Sequence, residues 1–292
     1  MRRLTGLLLE CGATIHEINT LRKHLSRFSG GNLARAAFPA AVLGLIVSDV
    51  VGDDLDVIAS GPTVPDPSTF ADCLRVVERY GLRWKLPKAV WERLEKGLQG
   101  LVPETPKADD PAFARTRNVL IASVRQALDA AADEAKKLGF APRILTTSMT
   151  GEARDRAAEL AEEARRVQTA LRPGDAPVCL LAGGETTVTI RGRGKGGRNQ
   201  EMALAATLAL ANDCGIDLAC VGTDGTDGPT DAAGGYAFGG DLARLRALGL
   251  RPQERLDAND SYPLLLKAGT LLRTGPTRTN VMDMVIVLVR PK

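Results

Sequence analysis

The chain has 292 residues with Lys+Arg 38 against Asp+Glu 35, a formal net charge of +3. That near balance offers no electrostatic footprint for nucleic acid, and aromatic residues at 4% are too scarce for a base-stacking surface. Hydrophobic residues at 44% and charged residues at 25% suit a soluble globular protein with one large core or two smaller ones.

Residues 4–11 read as a short helix ended by Gly12, broken by Glu10 too early for a signal peptide or a membrane span. Ile15, Ile18, Leu21 and Leu25 then recur at helical spacing until Gly30–Gly31. Residues 41–47 predict a buried strand that delivers Ser48, Asp49, Gly52, Asp53 and Asp54 at its end. Pro62, Pro65 and Pro67 make 59–69 a loop. Helices are expected at 70–80 and 87–98, and 100–115 reads as an exposed connection. Residues 118–123, 124–138, 142–147 and 151–167 then alternate strand, helix, strand, helix, which means a parallel or mixed sheet with helices on its faces.

A second linker is expected at 172–177. Beyond it the order is strand, glycine-rich loop, helix (202–210), strand (216–221) and acidic loop, with Glu185 just ahead of the first strand. Helices near 241–248 and 260–266 and a strand at 282–289 complete the chain. Cys11, Cys73, Cys179, Cys214 and Cys220 form no C-x-x-C pair, and His16 and His24 are the only histidines, so a structural zinc site has little to draw on. A reducing cytoplasm and no membrane partner are the expectation.

Ligands of open α/β sheets bind outside the carboxyl ends of the strands, which singles out SDVVGDD, the turn at Gly183–Glu185 and the loop GTDGTDGPTDAAGG. Asp49, Asp53 and Asp54 could equally be turn formers, and Asp224, Asp227 and Asp231 helix caps. Three acids within eight residues, interleaved with Gly222, Gly225 and Gly228, favour a ligand. Gly192–Gly197 spells G-x-G-x-x-G, a dinucleotide fingerprint when it follows a strand and opens a helix. Arg193, Lys195 and Arg198 crowd it with charge that a backbone-cradled pyrophosphate does not need. No G-x-x-x-x-G-K-[ST] occurs.

GGETTVTIRGRGKGGRNQE, GTDGTDGPTDAAGG and the segment from Asn259 onward resemble the C-terminal, MOFRL domain of the class II glycerate kinases. LLLECGATIHEINTLRKHLSRFSGGNLA, LIVSDVVGDDLDVIASGPTVPDPST and GEARDRAAELA resemble the second half of that family's N-terminal domain. The resemblance implies two α/β domains, residues 1–172 and 177–292, with mostly parallel or mixed sheets and the first, Rossmann-like, truncated at its start. It also implies ATP-dependent phosphorylation of D-glycerate at the 2-position with Mg²⁺. The alternatives are a remnant that binds glycerate or an anion without catalysis, and an NAD(P)-dependent hydroxypyruvate reductase.

Phosphoryl transfer needs cationic groups on the phosphates, a metal, and a carboxylate on the attacking hydroxyl. Within the resemblance, Arg198, backed by the N–H groups of Gly194 to Gly197, binds a phosphate or the glycerate carboxylate, and Lys195, Gly196, Gly197 and Asn199 support it. Asp224 and Asp227 orient hydroxyls, and Glu185 does the same or pairs with Arg198. Ser60 and Thr63 contact nucleotide or phosphate, and Asp49 and Asp53 hold Mg²⁺. An Arg198→Ala variant is then expected to lose activity with little loss of folding. The family's upstream strand, lysine and glycine/serine turn have no counterpart here. Ser29 stands for the usual Lys, Val124 for the usual Asn, and Arg278 interrupts the usual GPTGTN. Unpaired strand edges left by the missing part would favour a homodimer.

Overall fold

A computed structural model describes all residues from Met1 to Lys292, which form two compact units. The first comprises Met1–Ile46 and Asp53–Ile121, the second Val47–Gly52 and Ala122–Lys292.

In the first unit, helices α1 (Arg2–Glu10), α2 (Ile15–Leu25) and α3 (Asn32–Ala37) precede strand β1 (Val42–Val47). Helices α4 (Phe70–Arg79) and α5 (Lys88–Leu98) lead to strand β2 (Thr116–Ala122), which joins β1 in a two-stranded sheet. Helix α2 starts where Thr14 and Glu17 form a capping box, and α4 where Thr69 and Asp72 do the same. Leu4, Leu8, Leu21, Phe70, Val77 and Leu94 make its core. Helix α3, unforeseen from the sequence, follows Gly31, whose φ of 79° favours a residue without Cβ.

The second unit continues with helix α6 (Val124–Lys137), strand β3 (Ala141–Met149), helix α7 (Ala153–Ala170), strand β4 (Val178–Gly184), helix α8 (Arg198–Ala209) and strand β5 (Ile216–Gly222). Strand β6 (Gly234–Phe238), helices α9 (Leu242–Ala247), α10 (Pro252–Asp257) and α11 (Ser261–Ala268), and strands β7 (Leu271–Leu272) and β8 (Asp283–Val289) follow. The sheet order is β3-β4-β8-β5-β6-β7. Strands β3 and β4 are parallel, and every later pairing is antiparallel, so the sheet is mixed. The sheet is covered on both faces, because β4 alternates its side chains between two cores. Val178, Leu180 and Ala182 pack with α7 and α8, while Cys179 and Leu181 pack with α6. Small residues on α7 (Ala153, Ala157, Ala161, Ala164) let α8 approach closely, and α8 is buried from Asn199 to Thr207. No helix is long and apolar enough to cross a membrane.

Two expectations need correction. The compact units do not divide at 172–177: β3 pairs in register with β4, from Ala141↔Val178 to Met149↔Gly184, so residues 122–172 lie in the second unit. The strand expected after Glu185 is also absent; β4 ends before it, and 185–197 is loop apart from one bridge, Glu152↔Thr187. Side chains satisfy that loop's backbone instead of a ladder. Glu152 accepts from Thr189 N (3.0 Å), and Asn259 Oδ1 accepts from Arg191 N (2.7 Å) and Gly192 N (3.0 Å).

Candidate active site

Three strand ends meet in register in the second unit. Gly184 of β4 and Gly222 of β5 both align with Asp283, the first residue of antiparallel β8. Glu185 and the loop from Thr223 therefore leave the carboxyl ends of two strands on either side of Asp283. Gly183 suits the close approach of α6 to this strand end: a Cβ would clash with the Val124 side chain.

Arg198, at the first turn of α8, reaches back to this point. Its Nε and Nη2 donate to Asp283 Oδ2 and Oδ1 at 2.5 and 3.1 Å, a bidentate fork, and Nη1 donates to Glu185 Oε1 at 2.6 Å. The Asp283 side chain is 3% exposed, Arg198 34% and Glu185 47%, so the pair is rooted in the sheet and opens outward. Burial works against the guanidinium charge, but Asp283 and then Glu185 outweigh it and raise Arg198 above its ordinary value. An open cleft of about 480 Å³ lies over the group, lined by Thr186, Val188, Arg198, Asp224, Asp227 and Gly228 among others. Asp283 was not anticipated. The signal existed, since an acid opening the apolar run DMVIVLV has to find a cation when buried.

The acidic loop splits its roles. Asp227 is 4% exposed and caps α8: its carboxylate accepts Asn199 N at 3.1 Å and Gln200 N at 2.8 Å. Burial pushes its pKa up even though those N–H groups lower it. A carboxylate so engaged positions the helix, and with it Arg198, while also lining the cleft. Asp224 is half-buried and lines the cleft, with its oxygens on Thr226 N and Oγ1, each at 2.9 Å.

Part of the glycine loop's backbone is bonded within the protein. Gly194 N donates to Ala258 O at 3.0 Å and Lys195 N to Asp260 Oδ1 at 2.9 Å. The glycines serve close packing, because a Cβ on Gly197 would lie 2.5 Å from both Asp227 carboxylate oxygens. The Lys195 ammonium sits 4.4 Å from the centre of the Tyr262 ring, whose hydroxyl donates to Asp231 at 2.7 Å.

In the first unit, Ser60 Oγ donates to Asn19 Oδ1 at 2.9 Å and Thr63 Oγ1 to Asn118 Oδ1 at 2.6 Å. Both hydroxyl protons are therefore spent on internal bonds that hold the SGPT turn. Asp53, at φ 58°, keeps Oδ1 buried and unpartnered, whereas Asp49, in the second unit, is exposed. No group of three His, Cys, Asp or Glu side chains converges as a metal cage.

Two family models match: residues 1–95 fit a domain of unknown function, DUF4147, and residues 178–283 fit the MOFRL family. The crystal structure of a glycerate kinase from Thermotoga maritima superposes with a TM-score of 0.90 at 46% identity, covering 99% of this chain and 67% of that one. This chain belongs to the glycerate kinase family. Among relatives in the family, it is 46% identical over 99% of its length to the D-glycerate 2-kinase of Thermotoga maritima. It is 47% identical over 100% of its length to the glycerate 2-kinase of Pyrococcus horikoshii. It spans 66% of the length of either, just under two thirds.

Proposed function

We propose that the chain carries out ATP-dependent phosphorylation of D-glycerate to 2-phosphoglycerate. The observation that carries this reading is Arg198, anchored on buried Asp283 and open to a cleft at the carboxyl ends of β4 and β5. Its three protein bonds leave N–H groups on both terminal nitrogens for a phosphoryl oxygen or the glycerate carboxylate. An arriving anion competes with half-exposed Glu185 for the guanidinium, which frees that carboxylate to accept from a glycerate hydroxyl. Asp224, on the facing loop, is the second carboxylate available to align the attacking oxygen.

Mg²⁺, when bound, would neutralise charge on the transferring phosphate. Asp49, an exposed carboxylate of the second unit, is the group we assign to it. One or two carboxylates plus phosphate oxygens and water suit this ion, so a three-acid cage is not required. The free cysteines suit a reducing compartment, and the cytoplasm is part of the proposal. So is a homodimer, for which Leu43 and Leu45 of β1, each 62% exposed, offer an apolar face.

A coupled ADP-release assay on the 292-residue chain with MgATP, with and without D-glycerate, tests the activity. Glycerate-dependent turnover supports the reading. A folded chain that binds glycerate without turnover would replace it by the non-catalytic one. Hydroxypyruvate reduction is disfavoured because the G-x-G-x-x-G amides are bonded to 258–260, and no change in nicotinamide absorbance with hydroxypyruvate is expected.

A further inference from the structure

The first unit holds a cavity of about 250 Å³ that the reaction above does not use. Three guanidiniums line it from separate elements: Arg27 after α2, Arg35 on α3 and Arg93 on α5. Arg35 is neutralised in part, since its Nε donates to Asp110 at 2.8 Å and its Nη1 to Glu104 O at 3.0 Å. Arg93 donates only to a backbone carbonyl, His24 O, at 2.8 Å, and neither Arg27 nor Arg93 has a carboxylate partner.

The other charges on the wall are already matched. Lys23, with a side chain 4% exposed, lies 3.0 Å from Asp56 and 3.4 Å from Asp66. Glu104, the carboxylate lining the cavity, accepts Phe70 N at 2.9 Å through one oxygen and contacts His24 Nε2 at 3.0 Å through the other. Ser26 Oγ accepts from the N–H groups of Phe28 and Ser29, each at 3.0 Å, which leaves its own proton to donate. The surplus on the wall is therefore cationic, fork-shaped and supplemented by one hydroxyl donor. Like charges gathered around a small cavity repel one another until an anion joins them. Guanidinium forks match the oxygen spacing of phosphate and carboxylate.

We propose that this cavity is an anion site, separate from the Arg198 cleft, that takes a phosphoryl-type dianion on Arg27, Arg35 and Arg93. Its volume suits one phosphate group with a few waters and is too small for a nucleotide. The site belongs to the first unit and does not depend on the kinase reading.

The test is a titration of inorganic phosphate into the full chain at constant ionic strength, with chloride as the matched control. Arginine side-chain Nε–Hε resonances are followed by NMR. Saturable shifts at Arg27, Arg35 and Arg93 are expected. Arg27→Gln should weaken phosphate binding roughly tenfold or more, the loss of a charged hydrogen-bonding group, with an unchanged circular-dichroism melt. Arg83→Gln, which alters a guanidinium stacked on Trp84 and Trp91 at 5.0 and 4.8 Å, should leave the affinity as it was. Arg93→Gln removes the bond to His24 O as well, so if that variant unfolds, the Arg27 result decides. Shifts that do not saturate, that match those with chloride, that survive Arg27→Gln, or that are confined to Arg198 would overturn the proposal.

Discussion

Arg198 carries its charge between two carboxylates of unequal exposure, and that inequality decides what its removal does. Asp283 is almost wholly buried, so Arg198→Ala strands an unpaired carboxylate at the sheet end. Breaking a buried pair costs about 3 kcal/mol or more. Arg198→Ala is therefore expected to lower the thermal midpoint as well as abolish turnover, a larger loss of folding than the sequence suggested. Arg198→Lys, which keeps charge without the fork, should melt between the two while staying at least 100-fold slow, the scale of losing a positioned transition-state donor. An Arg198→Ala protein that melts like the parent would show Asp283 to be solvated. Thr186, on the cleft wall, holds a buried hydroxyl oxygen without a partner. Replacing an unsatisfied polar group by an apolar one of the same shape is neutral or stabilising, so Thr186→Val should keep or raise the midpoint. A clear drop would mean that a water or an unseen partner satisfies it.

Helix caps set the acid response of the elements they start. The bond from Thr14 N holds Glu17 below its ordinary carboxylate range, although burial opposes it, and the Thr69 hydroxyl does the same for Asp72. Groups depressed in the folded state stabilise it above their unfolded pKa, and that contribution is lost as the pH falls through the folded value. Asp227 has the opposite sign: burial raises it, so its contribution falls as the pH rises from the ordinary carboxylate value to the raised one. Melts between pH 6 and pH 3 should therefore decline toward acid less steeply in Glu17→Gln than in the parent, and an equal decline would remove the cap as the cause. In the loop before β8, Arg278 stands at φ 64°, a left-handed conformation that costs an L-residue about 1–2 kcal/mol. Arg278→Gly relieves that strain but frees the unfolded chain, so a net gain of about 0.5–1 kcal/mol is expected in denaturant titration. An unchanged midpoint would mean that the loop's bonds, Thr277 Oγ1 to Thr223 O at 2.6 Å among them, already compensate.

At the scale of the whole molecule, each unit has its own core, and single truncations should be felt in full. Leu204 of α8 is 0% exposed in the larger core, so Leu204→Ala is expected to cost about 2–5 kcal/mol, read from chemical denaturation. A cost under 1 kcal/mol would mean that the Ala-rich α7–α8 contact collapses to fill the space.

Much of this was legible in the chain itself. Apolar periodicity located most helices, the strands at 42–47, 216–222 and 283–289, and the loop-helix order around Arg198, because burial selects side chains at local spacings of 2 and 3.6 residues. The family motifs pointed to Glu185, Arg198 and Asp224 as neighbours of one site. Both Asp224 and Asp227 line the cleft, and only the tertiary structure showed that Asp227 also caps α8 while Asp224 bonds within its own loop, since the two acids look alike three residues apart. Only it brought in Asp283, 85 residues from Arg198 in the chain, because register across β4, β8 and β5 sets that contact. It also showed the internal bonds of Ser60, Thr63 and the amides of Gly192, Gly194 and Lys195. Whether a hydroxyl, a carboxylate or an amide is free depends on its bonding partners. Those come from distant segments, and no local spacing encodes them.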